Sequence, residues 1–509
     1  MAGAERQVLM RGVGLAFLGR LGAVIEAVSF PLFLALYGPV LFGIYATAWA
    51  AARLAAGITQ MGMVLMLQQF VPASEQDPDR LVAILRFALT RALIASLVVV
   101  GGVTVAAPWL APLVDRSGAL GAEGPLLIAA FAWIVPAWTM LEVLTGAIRA
   151  LRRFGPEIRV RIFYEQILRL GLGAALAMGG FTRAGLFLAH LGSAAMAAGL
   201  AFALVRRNYD LRRWRQAGLA RDERRVLWNY ALPLMPSELI QRGFSELPVV
   251  ILNALLPGAR GAVAAGYYAV ARKIASVMQL VFNAFDYVMA PLAAHHLARA
   301  DHARIADLHG YSTRLMLAAG TLLAAGLVAA SDILAALMGR SAAVIAPTLS
   351  ILVLGRLASF LFGQSQAVLR AMVGSRPVLV NWLAGLGLML LLVTWLAPIW
   401  GPPGAAVGAA AGLVLTHGLA AGELYRWKRL ATWDRQLLRP FGSAMLLGGL
   451  ILALDRLLED WLAPPVVFVI LLASLLLAFV ALVRYGLTAE DAGAFGRLGR
   501  ILRKERRRT

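Results

Sequence analysis

Residues 43–57 read GIYATAWAAARLAAG, and residues 266–280 read GYYAVARKIASVMQL. Both stretches open with the pattern G-x-Y-A-x-A, at Gly43–Ala48 and at Gly266–Ala271. Each follows an apolar segment and a short link that contains glycine and proline. These features indicate an internal repeat whose two copies run in the same direction, because the second copy comes six predicted helices after the first. Parallel repeats of this kind place a cavity between two lobes.

The composition is that of a membrane protein. Of the 509 residues, 60% are hydrophobic, and the mean hydropathy is +0.75. Soluble domains contain about 45–50% apolar residues. Apolar runs of the length that crosses a bilayer recur along the whole chain. The sequence therefore predicts an all-α polytopic membrane protein.

Turn signals and charged gaps divide the chain into about fourteen predicted transmembrane helices. We expect the first one to be retained rather than cleaved, because its apolar run is too long for a signal peptide and leads directly into the next helix. The predicted spans are 13–36, 42–66, 81–107, 125–147, 158–179, 183–205, 228–256, 264–290, 311–338, 343–370, 378–397, 404–424, 438–455 and 464–484.

Basic residues outside these spans fall mainly on the side of the N-terminus, which includes the arginine-rich segment 206–225 and the C-terminal tail. The opposite loops hold only a few, which are Arg116, Arg183, Arg260, Arg340 and Arg456. Because Lys and Arg collect in cytoplasmic loops, both termini are predicted to be cytoplasmic, in the inner membrane of a bacterium. The same asymmetry accounts for the net charge of +21 without a nucleic-acid partner.

The long polar segment near the middle of the chain suggests the domain organisation. It separates six predicted helices from the eight that follow. The predicted parts are an N-terminal six-helix lobe at 1–205, a cytoplasmic basic linker at 206–227, a C-terminal six-helix lobe at 228–424, two additional transmembrane helices at 425–484 and a basic cytoplasmic tail at 485–509.

Several kinds of chemistry are not expected here. The chain has no cysteine, which excludes disulfides and thiolate metal sites. His295, His302 and His309 recur every seven residues, a spacing of about 10.5 Å along a helix that is too long for one ion. No G-x-x-x-x-G-K-[ST] motif occurs, so ATP hydrolysis of the Walker type is excluded. We therefore predict a protein without enzymatic activity, cofactor or bound metal.

A family resemblance is carried by three stretches, PLFLALYGPVLFGIYATAWA at 31–50, MGMVLMLQQFVP at 61–72 and GYYAVARKIASVMQLVFNAFDYVMAPLAAHH at 266–296. Together they resemble the polysaccharide transporter (oligosaccharide flippase) family of the multidrug/oligosaccharidyl-lipid/polysaccharide exporter superfamily. The resemblance implies two six-helix lobes around a central cavity, two further C-terminal helices, and translocation of lipid-linked oligosaccharide. One departure is Ser245-Glu246-Leu247, where the family commonly has an aspartate.

Polar side chains inside the predicted spans are the candidates for a binding site, because a charge at membrane depth costs about 2.5–3.5 kcal/mol on insertion scales. In the eighth span, a stripe of five polar residues falls on one helical face. It consists of Arg272, Ser276, Gln279, Asn283 and Asp286, and Lys273 borders it. In the second span, Arg53, Gly57 and Gln60 share a face.

These residues suit a ligand with both phosphate and sugar groups, since guanidinium binds phosphate bidentately and amides bind hydroxyls. The predicted substrate-binding residues are Arg20, Arg53, Arg242, Arg272, Lys273, Gln60, Gln279 and Asn283. The predicted coupling or gating residues are Glu26, Glu142, Glu238, Glu246 and Asp286.

For some of these charged residues, the sequence also allows a role in ion pairs within the protein. Glu238, Arg242 and Glu246 are spaced one turn apart, so they would also satisfy one another within a single helix, as would Glu165 and Arg169. Glu26 is interpreted either as the partner of Arg53 in the adjacent helix or as a group that changes protonation during transport.

The leading hypothesis is a flippase for polyprenyl-diphosphate-linked oligosaccharide that works by alternating access. An ion-coupled multidrug antiporter of the same superfamily is the main alternative, and a non-transporting scaffold of a polysaccharide synthesis complex is another. The predicted partners are the lipid-linked oligosaccharide and membrane lipids, with the polymerase and export machinery of polysaccharide synthesis as further candidates.

Overall fold

The structure, a computed structural model, describes residues 22–297, 299, 301–339, 342–433, 435–488 and 491, and this part is helical without strands. The first helices are α1 (Gly22–Tyr37), α2 (Pro39–Gln60), α3 (Met63–Phe70), α4 (Pro78–Val114), α5 (Gly124–Ala132), α6 (Ile134–Ala150), α7 (Phe154–Ile158), α8 (Glu165–Met178), α9 (Gly185–Asn208), α10 (Arg221–Ala231) and α11 (Met235–Leu255). The remaining ones are α12 (Ala259–Leu297), α13 (His302–Leu337), α14 (Ile345–Phe360), α15 (Ser365–Met372), α16 (Ser375–Trp400), α17 (Pro402–Lys428), α18 (Leu438–Leu458) and α19 (Pro464–Ala481).

Helix boundaries follow the local sequence. Helices α2, α4, α17 and α19 begin with proline in the first turn, where its missing N–H costs no hydrogen bond. Gly38, which precedes α2, has a φ of 77°, and Gly401, which precedes α17, has a φ of 62°. This left-handed conformation favours glycine. These residues therefore allow tight turns between consecutive membrane helices.

Every predicted span that lies in the described ranges coincides with one helix or with a run of consecutive helices. Nine helices of the described part are long and apolar enough to cross a membrane. The bent pair α14 and α15, with a 40° bend, makes a tenth. The all-helical membrane fold is thus confirmed, whereas the number of fourteen spans stays a prediction.

The described residues form two compact units, one comprising 22–269 and the other comprising the residues from 270 onwards. In the first unit, α2 packs against α11, α9 packs against α6 and α8, and α4 packs against α5 and α6. In the second unit, α17 packs against α16 and α14, and α13 packs against α14 and α18. The predicted division into lobes at 206–227 stays a prediction.

The two copies of the G-x-Y-A-x-A pattern meet within the first unit. A side chain added at Gly43 would overlap the backbone carbonyl of Ala262. A Cβ atom at Gly266 would lie 3.1 Å from the Cα of Gly43. Small residues of this kind let helix backbones approach closely in a membrane. The repeated glycines therefore allow the close approach of α2 to residues 262–266 of the same unit.

The linker that precedes α10 is held by charged contacts. Arg213 pairs with Asp79 at 2.9 Å and with Asp210 at 3.0 Å. Hydrogen bonds to these two carboxylates, that to Asp79 first, raise the pKa of the Arg213 guanidinium. Nη1 of Arg86 on α4 donates to the carbonyl of Trp214 at 2.8 Å. The linker is thus attached to the first part of α4.

Candidate functional site

Three helices of the first unit, α2, α6 and α11, and the π-helical turn at 159–164 carry a group of charged and amide side chains linked by hydrogen bonds and ion pairs. We call this group the arginine cluster. Its members are Arg53, Gln60, Glu142, Arg161, Arg242 and Glu246.

Arg53 is anchored at one edge of the arginine cluster. Its Nη1 lies 2.8 Å from Oε1 of Glu246 on α11, and the Glu246 side chain is fully buried. The guanidinium carbon lies 5.9 Å from the centre of the Trp49 ring, within the range of a cation–π contact. The Arg53 side chain nevertheless keeps 24% of its surface exposed. Arg53 is thus both held by the protein and accessible.

Glu142 on α6 is a buried carboxylate that two arginines share. Its Oε2 accepts a hydrogen bond from Nη2 of Arg242 at 2.8 Å, and its Oε1 accepts one from Nη2 of Arg161 at 2.9 Å. Nε1 of Trp138, one turn earlier on α6, donates to Oε1 at 3.1 Å. Because both arginine bonds are charge-assisted, Glu142 fixes two cations in one place.

Arg242 crosses the face of α2 that the sequence predicts to be functional. A Cβ atom at Gly57 would lie only 2.8 Å from Cδ of Arg242, so the absence of a side chain there makes room for the arginine. Close by on the same face, Oε1 of Gln60 accepts a hydrogen bond from Nη2 of Arg242 at 3.1 Å. Gly57 and Gln60 therefore form a surface that receives Arg242, and Arg53 on the same face meets Glu246 of α11.

Three hydrogen-bond donors of the arginine cluster have no acceptor in the described part of the chain. Within the described part of the chain, Nε of Arg53, Nε2 of Gln60 and Nη1 of Arg242 are buried and donate to no acceptor. A buried donor left unsatisfied costs about 1–3 kcal/mol. Donors on two guanidinium groups and one amide are suited to the oxygens of an anion such as phosphate.

The interpretation that Glu26 pairs with Arg53 is wrong. Glu26 accepts a hydrogen bond from Nη2 of Arg169 on α8 at 3.2 Å, whereas Arg53 pairs with Glu246. Arg169 is almost fully buried, and its Nη1 lies 3.1 Å from Nε2 of His190. Helix α1 packs against α8, which brings Glu26 to that arginine.

The intrahelical alternative for the seventh predicted span is also wrong. The partners of Arg242 and Glu246 lie on other helices, Glu142 on α6 and Arg53 on α2. Oε2 of Glu238 is buried and has no hydrogen-bond partner in the described part of the chain. By contrast, Glu165 and Arg169 do form the expected i, i+4 pair, although its closest distance is 3.8 Å.

The polar stripe of the eighth span lies on α12. Its five residues are all partly exposed, whereas neighbouring apolar residues such as Met278 and Phe285 are buried. Nε2 of Gln279 donates to Oδ1 of Asn283 at 2.8 Å, as expected for a pair one turn apart. Lys273, beside the stripe, is buried.

The remaining predicted residue, Arg20, lies outside the described residues. Conversely, sequence reasoning missed Arg161, which lies in a π-helical turn at 159–164 and binds Glu142. Its position inside a predicted span was the available signal, because charges are rare there. The binding and gating roles of all these residues stay predictions.

Comparisons with known proteins relate the chain to a family and to a fold. The pattern of the family described as "Polysaccharide biosynthesis protein" matches residues 9–295. A comparison with curated proteins gives no match.

Solved structures with a similar fold include the lipid II flippase MurJ in an inward closed conformation. It is 12% identical, with coverage of 92% of this chain and 97% of that chain and a TM-score of 0.69. An inward-facing multidrug resistance MATE family transporter of the MOP superfamily is 16% identical. The match covers 88% of this chain and 95% of that chain, with a TM-score of 0.53. A Vibrio cholerae MATE transporter is 16% identical. The match covers 84% of this chain and 99% of that chain, with a TM-score of 0.52.

These similarities confirm the predicted fold class, and the family match covers more than half of the chain. The chain belongs to the polysaccharide biosynthesis protein family.

Proposed function

We propose that this protein is an inner-membrane flippase for polyprenyl-diphosphate-linked oligosaccharide. It moves the repeat unit of a polysaccharide, such as an O-antigen or exopolysaccharide, from the cytoplasmic to the periplasmic leaflet by alternating access. Membership of the polysaccharide biosynthesis family supports this proposal, as does a fold similar to that of a lipid II flippase.

The observation that carries the proposal is the set of unpaired donors in the arginine cluster. Two guanidinium groups and one amide, from Arg53, Arg242 and Gln60, each keep a buried N–H without an acceptor in the described chain. A diphosphate that enters a low-dielectric site needs counter-charges there, because its desolvation would otherwise be prohibitive. Arginine supplies a charge that persists at any working pH.

Glu142 and Glu246 have a defined place in this mechanism. Each holds an arginine of the cluster through a charge-assisted bond. A diphosphate carries more negative charge than a carboxylate and competes with it for the same guanidinium. Substrate binding then releases the carboxylates from their arginines, which links occupancy of the site to the packing of α2 against α6 and α11.

The other predicted residues complete the proposal. Arg20, Arg272 and Lys273 provide further positive charge for the diphosphate, and Gln279 and Asn283 bind sugar hydroxyls. Glu26, Glu238 and Asp286 are proposed to act in coupling to an ion gradient. These assignments rest on residue type and on position within the predicted spans.

Complementation of a host that lacks its own flippase tests the proposal. Arg53→Ala and Arg272→Ala should each abolish surface display of the glycan, and the amount of each variant in the membrane is measured alongside. Arg456→Ala is the matched control, because the Arg456 side chain is 73% exposed and pairs only with Glu459 among the described residues. Full display by both test variants would refute the phosphate-binding role.

Folding and function can be separated with a second variant. Arg53→Ala alone leaves the buried Glu246 carboxylate without this arginine, which lowers stability. The double variant Arg53→Ala/Glu246→Ala removes both charges, so it should reach the membrane at the wild-type level and still fail to display glycan. Display by the double variant would show that the pair is structural.

The ion-coupled multidrug antiporter is the second candidate, favoured by the similarity in fold to MATE transporters. A site for cationic drugs would be acidic, and the arginine cluster holds more arginines than carboxylates. Efflux of a cationic dye from cells that express the protein, without any effect on glycan display, would reverse this ranking.

A further inference from the structure

A groove runs along one side of α17, in the second unit. Its volume is about 690 Å³, within the range of small-molecule sites. Its lining is mainly apolar and includes Phe362, Val414 and Leu419. Gly418 and Gly422 form part of its floor, and a Cβ atom at Gly422 would meet no atom within 4 Å. Two glycines one turn apart thus keep a slot open along the helix.

One end of the groove is basic. Arg426 follows Gly418 and Gly422 on the same helical face and lines the groove. It is exposed, as are Lys428 and Arg429 at the end of α17. The groove also borders Glu423, whose Oε2 accepts a hydrogen bond from Nδ2 of Asn381 on α16 at 2.8 Å. Three basic side chains thus outnumber one carboxylate at this end.

Two tryptophans stand at the same end. Trp427 lines the groove and is about half exposed. Trp433, which follows α17, is exposed and donates its Nε1–H to the carbonyl of Leu361, next to Phe362, at 2.6 Å. Tryptophan is enriched where a membrane protein meets the headgroup region. Such a pair of tryptophans is typical of an end that lies at the depth of lipid headgroups.

The length of the groove fits one leaflet. From Val414 to Arg426 the helix rises about 18 Å at 1.5 Å per residue, and half of a bilayer hydrocarbon core is about 15 Å thick. The distribution of basic residues predicts that the end of α17 is cytoplasmic. Basic pockets between membrane helices on that side bind anionic lipid headgroups.

We propose that this groove binds an anionic phospholipid of the cytoplasmic leaflet. One acyl chain lies along Gly418 and Gly422, and the phosphate binds the Arg426 guanidinium. A bilayer phospholipid fits better than a polyprenyl diphosphate, because one lining arginine matches the charge of a single phosphodiester. This site is separate in sequence from the arginine cluster, and the proposal does not depend on the transported substrate.

The test measures phospholipid binding to the purified full-length protein in detergent by native mass spectrometry, with phosphatidylglycerol and phosphatidylcholine as probes. Wild type should retain phosphatidylglycerol about fivefold more strongly than phosphatidylcholine, since one arginine near the membrane surface contributes about 1 kcal/mol. Arg426→Gln should remove this preference. Arg376→Gln is the control, because Arg376 is also exposed and does not line the groove.

A second pair of variants tests the apolar part. Gly422→Leu fills the slot and should weaken binding of both lipids, whereas Gly387→Leu, at an exposed glycine of α16 with open space around it, should not. Equal affinity of wild type for the two lipids would overturn the proposal, as would identical behaviour of Arg426→Gln and Arg376→Gln. Displacement of phosphatidylglycerol by an equimolar polyprenyl phosphate would overturn it too.

Discussion

Replacement of Glu142 by glutamine probes the centre of the arginine cluster. Glutamine has nearly the same shape, but it carries no charge and presents an NH₂ group to a guanidinium. Arg161 and Arg242 then lose the carboxylate that holds both of them. Two cations are left close together without the shared anion. We expect the variant to be less stable than the wild type.

The size of the effect follows from burial. The loss of one partner of a buried ion pair costs about 3–5 kcal/mol. The Glu142 side chain is 9% exposed, but those of Arg242 and Arg161 are 15% and 32% exposed, so water screens part of the charge. The lower limit, about 3 kcal/mol, is therefore expected, which is a change of about 150-fold in the unfolding equilibrium constant.

The assay is denaturant unfolding of the purified protein in detergent micelles, with Glu459→Gln as the control. Glu459 pairs with Arg456 at 3.2 Å on the surface, and its replacement should change the free energy of unfolding by less than about 0.5 kcal/mol. The double variant Glu142→Gln/Arg242→Gln should recover part of the loss. If Glu142→Gln is as stable as Glu459→Gln, the carboxylate does not hold the cluster together.

Three further substitutions test the packing, each by the same unfolding measurement. Gly43→Ala should cost about 1–3 kcal/mol, because the added methyl overlaps the Ala262 carbonyl, whereas Gly101→Ala, which faces open space, should be neutral or stabilising by up to about 1 kcal/mol. Tyr209→Phe should cost about 1 kcal/mol, because its hydroxyl donates to the Ala147 carbonyl at 2.9 Å. Asp491→Asn should cost about 3 kcal/mol, because its carboxylate is buried against a buried arginine at 3.5 Å. An unchanged midpoint in any of the three would contradict the contact on which it rests.

The positions of the helices could be predicted because they depend on local properties. An apolar run of sufficient length, bounded by glycine, proline or charge, forms a helix in a membrane, since every backbone polar group must find a partner within the segment. For this reason 404–424 was located within α17, and 438–455 within α18. Helical periodicity also places Arg53, Gly57 and Gln60 on one face, and all three contact α11.

The partners of the charges could not be predicted in this way. Periodicity shows which residues share a face, but it does not show which helix that face meets. One of the two interpretations of Glu26 pairs it with Arg53 because their helices are consecutive, yet α1 also packs against α8, where Arg169 lies. The position of Arg161 inside a predicted span marks it as a candidate, but nothing in its own segment indicates that Glu142 is its partner.

The sequence by itself therefore determined the class of protein, the helical segments and the residue types available for binding an anion. Only the tertiary structure decided that Arg53 pairs with Glu246, that Arg161 and Arg242 share Glu142, and that the repeated glycines Gly43 and Gly266 meet. The physical reason is that a helix forms from contacts within a few residues, whereas an ion pair or a glycine crossing depends on how separate helices cross in space.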